Sequence, residues 1–338
     1  MNTDIAKFLL FRLSPESAHY FALHALNLAY TSGISRFLFG TPPPVPRTVM
    51  GLHFPNPIGL AAGFDKNAQC INGLGSLGFG FLEVGTVTPR PQSGNPQPRL
   101  FRLPKSRAII NRMGFNNLGV EYLINKVQQR HYSGILGINL GKNATTPLEN
   151  AVDDYLYGLQ RVYPYADYIT INISSPNTKN LRQLQHGDEL QQMLQVLKDA
   201  QTTLAKTHQK YVPLVLKIAP DLSSEEIIEI AEICLKNQMD GIIATNTTLS
   251  RIGVESLKYG QETGGLSGAP LTSRATEVVR LLTQTLQHKI PVIASGGVMT
   301  VADVQEKFAA GASLVQIYTG LIYQGTGLVR QAIEVIAK

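Results

Sequence analysis

The chain predicts an α/β fold, a (β/α)8 TIM barrel with a small N-terminal α-helical hairpin, and three observations point there. Short apolar runs recur eight times at the spacing of a strand plus a helix, and helical patterns lie between most of them. The glycine-rich nucleotide fingerprint that an open doubly wound sheet would want early in the chain is missing from that context. The runs are Ile58 to Ala61, Phe81 to Val84, Gly134 to Ile138, Tyr168 to Ile173, Leu214 to Ile218, Gly241 to Ala244, Pro291 to Ala294 and Leu314 to Ile317. Ser223 to Lys236 illustrates the helices: Ser223 and Ser224 can cap it, and Glu225 and Glu226 sit in the first turn, where the helix dipole favours negative charge.

The first forty residues read differently. Phe8 to Phe11, then Ala18, Phe21, Ala22, Ala25, Leu26, Leu28 and Ala29, then Phe37 to Phe39, place apolar side chains on two short helices. Ser14, Pro15 and Glu16 start the second, and Gly33, Gly40 and the Pro42 to Pro46 run end it and form a linker. Charged residues interrupt every apolar stretch before the roughly 18 residues that a spanning helix needs. A secretory leader is not expected either, because no uninterrupted apolar segment leads to a small-residue cleavage site. Two readings stand: a hairpin packed on the barrel, or an amphipathic pair on a bilayer with Lys7, Arg12 and Arg36 toward headgroups. The expected units are 1–40 and 41–338, in keeping with a barrel of ~250 residues plus an appendage.

Composition narrows the chemistry. The 338 residues are 43% hydrophobic, and 30 basic against 24 acidic residues give +6, which favours anionic partners. No basic run exceeds a pair, so a nucleic-acid partner is not expected. Two distant cysteines, Cys70 and Cys234, make neither a disulfide framework nor a thiolate cluster. Seven scattered histidines lack ligand spacing, so no metal is expected.

The strand ends carry the functional residues, as barrels place chemistry at the C-terminal face. In Thr170 to Thr178, TINISSPNT, the alternation of Ile169, Ile171 and Ile173 with Thr170, Asn172 and Ser174 reads as a strand opening into a polar loop. After the first run, Ala61, Ala62 and Gly63 leave room for a flat or bulky ligand at the backbone, and Lys66 follows to meet an anion. Thr86, Asn139, Asn172, Lys217, Thr245 and Asn246 end later strands. Lys217 is the sharpest, since a lysine inside LVLKIAP is costly to desolvate: it is either a structural ion pair or a ligand-facing cation. The glycine loops GGLSG (Gly264 to Gly268), ASGGV (Ala294 to Val298) and IYTG (Ile317 to Gly320) suit a phosphate. The long segment Pro89 to Phe115 reads as extra strands over the mouth, bringing Asn111, Arg112, Gly114 and Phe115 to the ligand. Asn111, Asn172, Asn177 and Asn246 then form four amides suited to a neutral ring rich in N–H and C=O groups.

In order and over essentially the whole chain, AAGFDKNA, GTVTPRPQSGNPQPRLFRL, INRMGFNN, GINLGKN, INISSPNT, VLKIAPDL, IATNTT, GGLSG and AAGASLVQIYTG resemble the motifs of dihydroorotate dehydrogenase, in its membrane-associated, quinone-reducing class. The resemblance implies FMN held by Ala62, Gly63, Phe64, Asp65, Lys66, Thr86, Asn139, Asn172, Lys217, Thr245, Gly268, Gly297, Tyr318 and Thr319. It implies dihydroorotate, leaving as orotate, held by Lys66, Asn111, Arg112, Met113, Gly114, Phe115, Asn172, Asn177, Asn246 and Thr247. Ser175 matches the catalytic base, where the soluble classes have cysteine, and it would need a relay through Thr178 or an ordered water. Lys217 would stabilise charge on the reduced flavin. The hairpin would form an apolar tunnel for a membrane quinone, lined or closed by His19, Arg102 and Tyr318.

The departures are Thr319 where serine is expected and Phe64 where leucine is common. The resemblance also implies pyrimidine biosynthesis, contact with a lipid bilayer and a place on the cytoplasmic face of a bacterial cell membrane. A monomer suffices for such a site, with oligomeric state left open. A phosphosugar isomerase on the same barrel would share the glycine loops but not need the four asparagines. A non-catalytic membrane-binding protein would leave Lys66 and Lys217 without a purpose.

Overall fold

A computed structural model describes residues 3–40 and 42–337. Three N-terminal helices, α1 (Thr3–Arg12), α2 (Pro15–Thr31) and α3 (Ser35–Phe39), precede a short antiparallel hairpin of β1 (Arg47–Val49) and β2 (Leu52–Phe54). The chain then runs through β3 (Ile58–Leu60), β4 (Phe81–Val87), β5 (Leu100–Leu103), β6 (Ala108–Asn111), β7 (Ile135–Leu140), β8 (Tyr168–Asn172), β9 (Leu214–Ile218), β10 (Gly241–Ala244), β11 (Gly265–Gly268), β12 (Val292–Ser295) and β13 (Leu314–Ile317). Strands β3, β4, β7, β8, β9, β10, β12 and β13 pair in parallel, in chain order, and β13 pairs back with β3 to close the barrel. These are the eight runs read from the sequence, with ends shifted by a few residues.

Helices α4 (Ile71–Gly75), α5 (Val120–Val127), α6 (Ala151–Val162), α7 (Gly187–His208), α8 (Ser224–Lys236), α9 (Thr272–Leu286) and α10 (Val301–Ala309) alternate with the barrel strands, and α11 (Thr319–Gln324) and α12 (Gly327–Ile336) follow the last one. The start of α8 is the capping box that the serines and glutamates foretell: Glu226 N–H donates to Ser223 Oγ at 3.2 Å, and Ser223 N–H donates to Glu226 Oε2 at 2.6 Å. Such a cap contributes about 1 kcal/mol.

Within the barrel, alternate residues of each strand face inward. Phe81, Tyr168, Val215, Ile243, Ile293 and Leu314, one from each of six strands, form an apolar layer. Phe54 of β2 closes it edge-on to Phe81, with ring centroids 5.3 Å apart. The hairpin thereby stoppers the N-terminal end, a role the sequence reading did not assign to it. At the other end β5 and β6, the extra strands foreseen in the long insertion, are joined by β11, a strand where the sequence reads as a glycine loop, in a three-stranded sheet with its own small core of Phe101, Leu103, Ala108, Ile110, Val254 and Leu266.

The N-terminal helices lie against this frame and are also exposed. Arg99 pairs with Glu16 of α2 at 2.7 Å, and Asn27 Nδ2 donates to the Gln69 carbonyl at 2.8 Å. Arg102 of β5 donates to the carbonyls of Leu10 and Leu13, closing the C-terminal end of α1 where a cation suits the dipole. On the outer side Phe8, Leu9, Phe21, Leu28 and Phe37 are exposed, Phe37 by 92%. Among the described residues no helix is long and apolar enough to cross a membrane.

Candidate active site

The C-terminal end of the barrel opens into a cleft of about 980 Å³, counted to its open mouth. Its base is polar, in contrast to the stopper below. Glu83, the inward residue of β4, is 1% exposed and accepts three hydrogen bonds: from Asn139 Nδ2 and Gln316 Nε2 at 2.7 Å, and from Tyr168 Oη at 2.9 Å. Asn139 in turn accepts from Thr86 Oγ1 at 2.6 Å and from Asn172 Nδ2 at 3.1 Å. The amides and hydroxyls at the strand ends are thus fixed in orientation through a buried carboxylate. Such networks orient their members, although the buried Gln316 Oε1 finds no partner among the described residues.

Lys217 stands beside this network, buried, with no hydrogen bond or ion pair to any described residue, and faces the cleft. Burial lowers its ammonium below the usual lysine range, and the charge of Glu83 opposes the shift. Glu83 is its nearest counter-charge in effect but makes no direct pair with it, which leaves Lys217 as a cation open to a ligand. A buried, unpartnered ammonium in a slot is what an electron-rich ring or an anion would need.

Four amides gather above. Asn177 Nδ2 donates to Asn111 Oδ1 at 3.2 Å, and Asn246 Nδ2 donates to Asn172 Oδ1 at 3.3 Å and to Ser174 Oγ at 3.0 Å. Ser175 lines the same cleft; its Oγ accepts only the Asn177 N–H, at 3.2 Å, among the described residues. No hydrogen bond joins Ser175 to Thr178 there, so a direct Ser175–Thr178 relay is not formed.

Lys66 reaches the cleft from the loop after β3 and donates to the Gly63 carbonyl at 2.9 Å. Burial lowers its ammonium to about 8, against the raising effect of Glu16. Gly63 holds φ +96°, and a side chain there would meet only Tyr318, at 3.5 Å, so the glycine leaves open room above the slot. At the far end Gly296 and Gly297 have φ of +97° and +71°, a conformation that can turn successive N–H groups toward an anion. Ser267 and Thr319 stand beside them, their hydroxyls 2.9 Å apart.

Of the residues singled out in the sequence, Ala62, Gly63, Lys66, Thr86, Asn172, Lys217, Thr245, Gly297, Tyr318 and Thr319 line this cleft. So do Asn111, Met113, Gly114, Phe115, Ser175, Asn177, Asn246 and Thr247. Five do not. Asn139 lies one layer beneath. Asp65 is buried and accepts the Gln69 and Cys70 N–H groups at 2.9 and 2.7 Å, which shapes the loop carrying Lys66. Gly268 packs so tightly that a Cβ would stand 2.3 Å from the Arg107 carbonyl oxygen. The Arg112 side chain turns to the rim, pairing with Glu262 at 2.6 Å and stacking on Phe101. Phe64 packs edge-on between His19 of α2 and Tyr318, at 5.1 and 5.4 Å.

That aromatic series links the cleft to the N-terminal helices. His19 is held neutral: burial, then the nearby Lys66 ammonium, lowers its imidazole to about 4. Burial raises the Tyr318 phenol to about 12. Sequence reasoning missed Glu83, Gln316 and Ser267. For Glu83 the signal was the one used for Lys217, an ionisable residue inside an apolar strand, here FLEVGTV.

A closed parallel barrel with a polar slot over a buried cation, amide pairs at its mouth and a glycine-bounded far end has the form of a barrel enzyme with its cleft at the C-terminal face. Comparison with known proteins makes this specific. The family profile of dihydroorotate dehydrogenase matches residues 45–338. A dihydroorotate dehydrogenase (quinone) of Nitrosomonas europaea is 58% identical over 99% of this chain and 98% of its own length. One of Methylococcus capsulatus is 58% identical over 97% of each. A crystal structure of the Eimeria tenella DHODH in complex with ferulenol superposes with a TM-score of 0.87 at 39% identity, covering 95% of this chain and 90% of that one. The chain belongs to the dihydroorotate dehydrogenase family, whose members are flavin-dependent.

Proposed function

We propose that this protein oxidises (S)-dihydroorotate to orotate and delivers the electrons to a membrane quinone, in de novo pyrimidine biosynthesis. The observation that carries the reading is the unpartnered Lys217 ammonium beneath a slot walled by amides, in a chain of this family. FMN is the flavin we assign, because the far end of the slot carries the Gly296–Gly297 turn with Ser267 and Thr319, a set suited to one phosphate. The residues present fit it: Lys217 supplies the buried cation, Ala62 and Gly63 leave the wall bare, and Thr86, Asn139 and Asn172 are pre-oriented from below. Bound there, FMN would supply the two-electron acceptor for the hydride leaving C6 of dihydroorotate and the donor for the quinone.

The chain's own residues do the rest. Ser175 Oγ takes the proton from C5; its one bond to the Asn177 N–H leaves the oxygen free to do so. Lys66 meets the substrate carboxylate. The pairs Asn111–Asn177 and Asn172–Asn246 present amides of fixed orientation to the ring N–H and C=O groups. The proton leaves Ser175 through an ordered water rather than directly through Thr178.

The N-terminal unit, 1–40, is assigned to quinone access and lipid contact, with 41–338 as the catalytic domain. Its outward Phe8, Phe21, Leu28 and Phe37 support that reading, as does the neutral His19 beside Phe64 on the path to Tyr318. We place the protein as a monomer, peripheral on the cytoplasmic face of a bacterial cell membrane, since one chain completes the cleft and relatives such as those of Nitrosomonas europaea and Methylococcus capsulatus are bacterial. The test is the absorbance spectrum of the purified protein before and after anaerobic dihydroorotate. Flavin bands near ~450 nm that bleach are expected. A protein that stays colourless when FMN is supplied would overturn the reading.

A further inference from the structure

We propose that Arg182 is a positioning residue that locks the loop carrying Ser175 in register with the loop carrying Asn246 and Thr247. Arg182 lies on a 3-10 turn, Leu181–Gln185, outside the cleft, and every nitrogen of its guanidinium is used. Nε donates to the Ser174 carbonyl at 3.0 Å, one residue before the base. Nη2 donates to the Thr247 carbonyl at 2.8 Å, and Nη1 pairs with Asp221 at 2.7 Å. Asp221, after β9, accepts in addition the Thr248 hydroxyl and the Leu249 N–H, the latter at 3.0 Å.

One ion pair thus ties the loops after β8, β9 and β10, three successive strands, at the backbone. The turn itself is held from below, where Gln185 Oε1 accepts the Ala219 N–H at 2.9 Å. A planar guanidinium with donors in fixed directions can serve two carbonyls and a carboxylate at once; a lysine ammonium on a flexible stem cannot hold that geometry. The consequence is geometric. Ser175 and the Asn246–Thr247 backbone approach the cleft from different strands, and their separation decides whether a proton and a ring fit between them. Arg182 fixes that separation without touching the cleft, so its loss acts on binding and on the step after binding, and leaves the cofactor's contacts alone.

This inference rests on the proposed reaction, so the test separates the two. In Arg182→Ala we expect full flavin content, orotate binding weakened by ~10-fold or more, and flavin bleaching by saturating dihydroorotate slowed by a similar factor, partly restored by added guanidinium ion. Orotate affinity and bleaching rate equal to the parent's would overturn the clamp, whatever the melting temperature did. Should that variant not fold, Asp221→Asn is read the same way and with the same two outcomes. Failure of the parent to bleach would count against the reaction instead. The clamp is then judged by hydrogen exchange of residues 174–178 and 246–250 in the parent and Arg182→Ala: faster exchange in both segments supports it, and unaltered exchange sinks it.

Discussion

At the centre of the barrel mouth the side chains are amides, hydroxyls and lysines, tied to one another and to a single buried carboxylate, Glu83. On the N-terminal helices the outward side chains include Phe8, Leu9, Phe21, Leu28 and Phe37, all largely exposed, with Phe8 lying under the Arg12 guanidinium. An aromatic series, His19 to Phe64 to Tyr318, runs from one region to the other. Under the proposed function, the contrast assigns two partners of opposite solubility to two directions: a small polar ring to the mouth, and an apolar acceptor to the side of the helices. If so, the two half-reactions can be damaged separately.

The largest expected effect is at the mouth. Ser175→Ala removes the proposed base, and general-base catalysis typically contributes 10²–10⁴-fold, so flavin reduction by dihydroorotate should slow by about that factor. Flavin content should stay at the parent's level, because among the described residues the Ser175 hydroxyl hydrogen-bonds only the Asn177 N–H. Stopped-flow bleaching checks the first point and the resting spectrum the second. Loss of flavin together with activity would make Ser175 a structural residue and blur the comparison.

Removing residues Met1–Gly40 is the reciprocal experiment. Bleaching by dihydroorotate should persist, while turnover with a long-chain quinone should fall by ~10²-fold or more, as expected when a reactant is no longer positioned. The deletion also removes Glu16, the partner of Arg99, so a stability loss is expected and the two rates must be measured well below the melting transition. Undiminished quinone turnover would break the division of labour outright.

Much of this division was legible in the chain. The eight strands could be read because buried parallel strands are short apolar runs, and the cap of α8 because Ser223 and Glu226 sit at the spacing of a capping box. Thr86, Asn172, Lys217, Thr245 and Asn246 followed from their place at strand ends and Asn111, Gly114 and Phe115 from the long insertion, whereas Met113 and Thr247 came only with the family resemblance. What could not be read was anything that depends on which residues face one another across the barrel. Glu83 is one letter in FLEVGTV, and its role appears only when Asn139, Tyr168 and Gln316, from three other strands, converge on it. The β1–β2 stopper was invisible for the same reason: Phe54 gains its meaning from Phe81. Arg182 looks like a surface cation until the Ser174 and Thr247 carbonyls are placed beside it.

The smallest effect expected is also the most discriminating, because it needs no mutation of either region. Lys66 titrates at about 8 in the cleft, lowered by burial. Below that value it is an ammonium that attracts the substrate carboxylate; above it the attraction is lost. The kcat/KM for dihydroorotate, which reports groups of the free enzyme, should therefore fall above pH ~8 by about one decade per unit. His19, lowered to about 4 by burial, stays an uncharged imidazole on both sides of that value. If Lys66 serves the mouth alone, the rate of flavin reoxidation by quinone should show no inflection there, since His19 and Tyr318, the titratable residues of the aromatic series, keep their charge near 8. An inflection near 8 in both half-reactions would mean that Lys66, which lies close enough to His19 to depress it, also governs the quinone side. The mouth and the helices would then be one electrostatic unit rather than two.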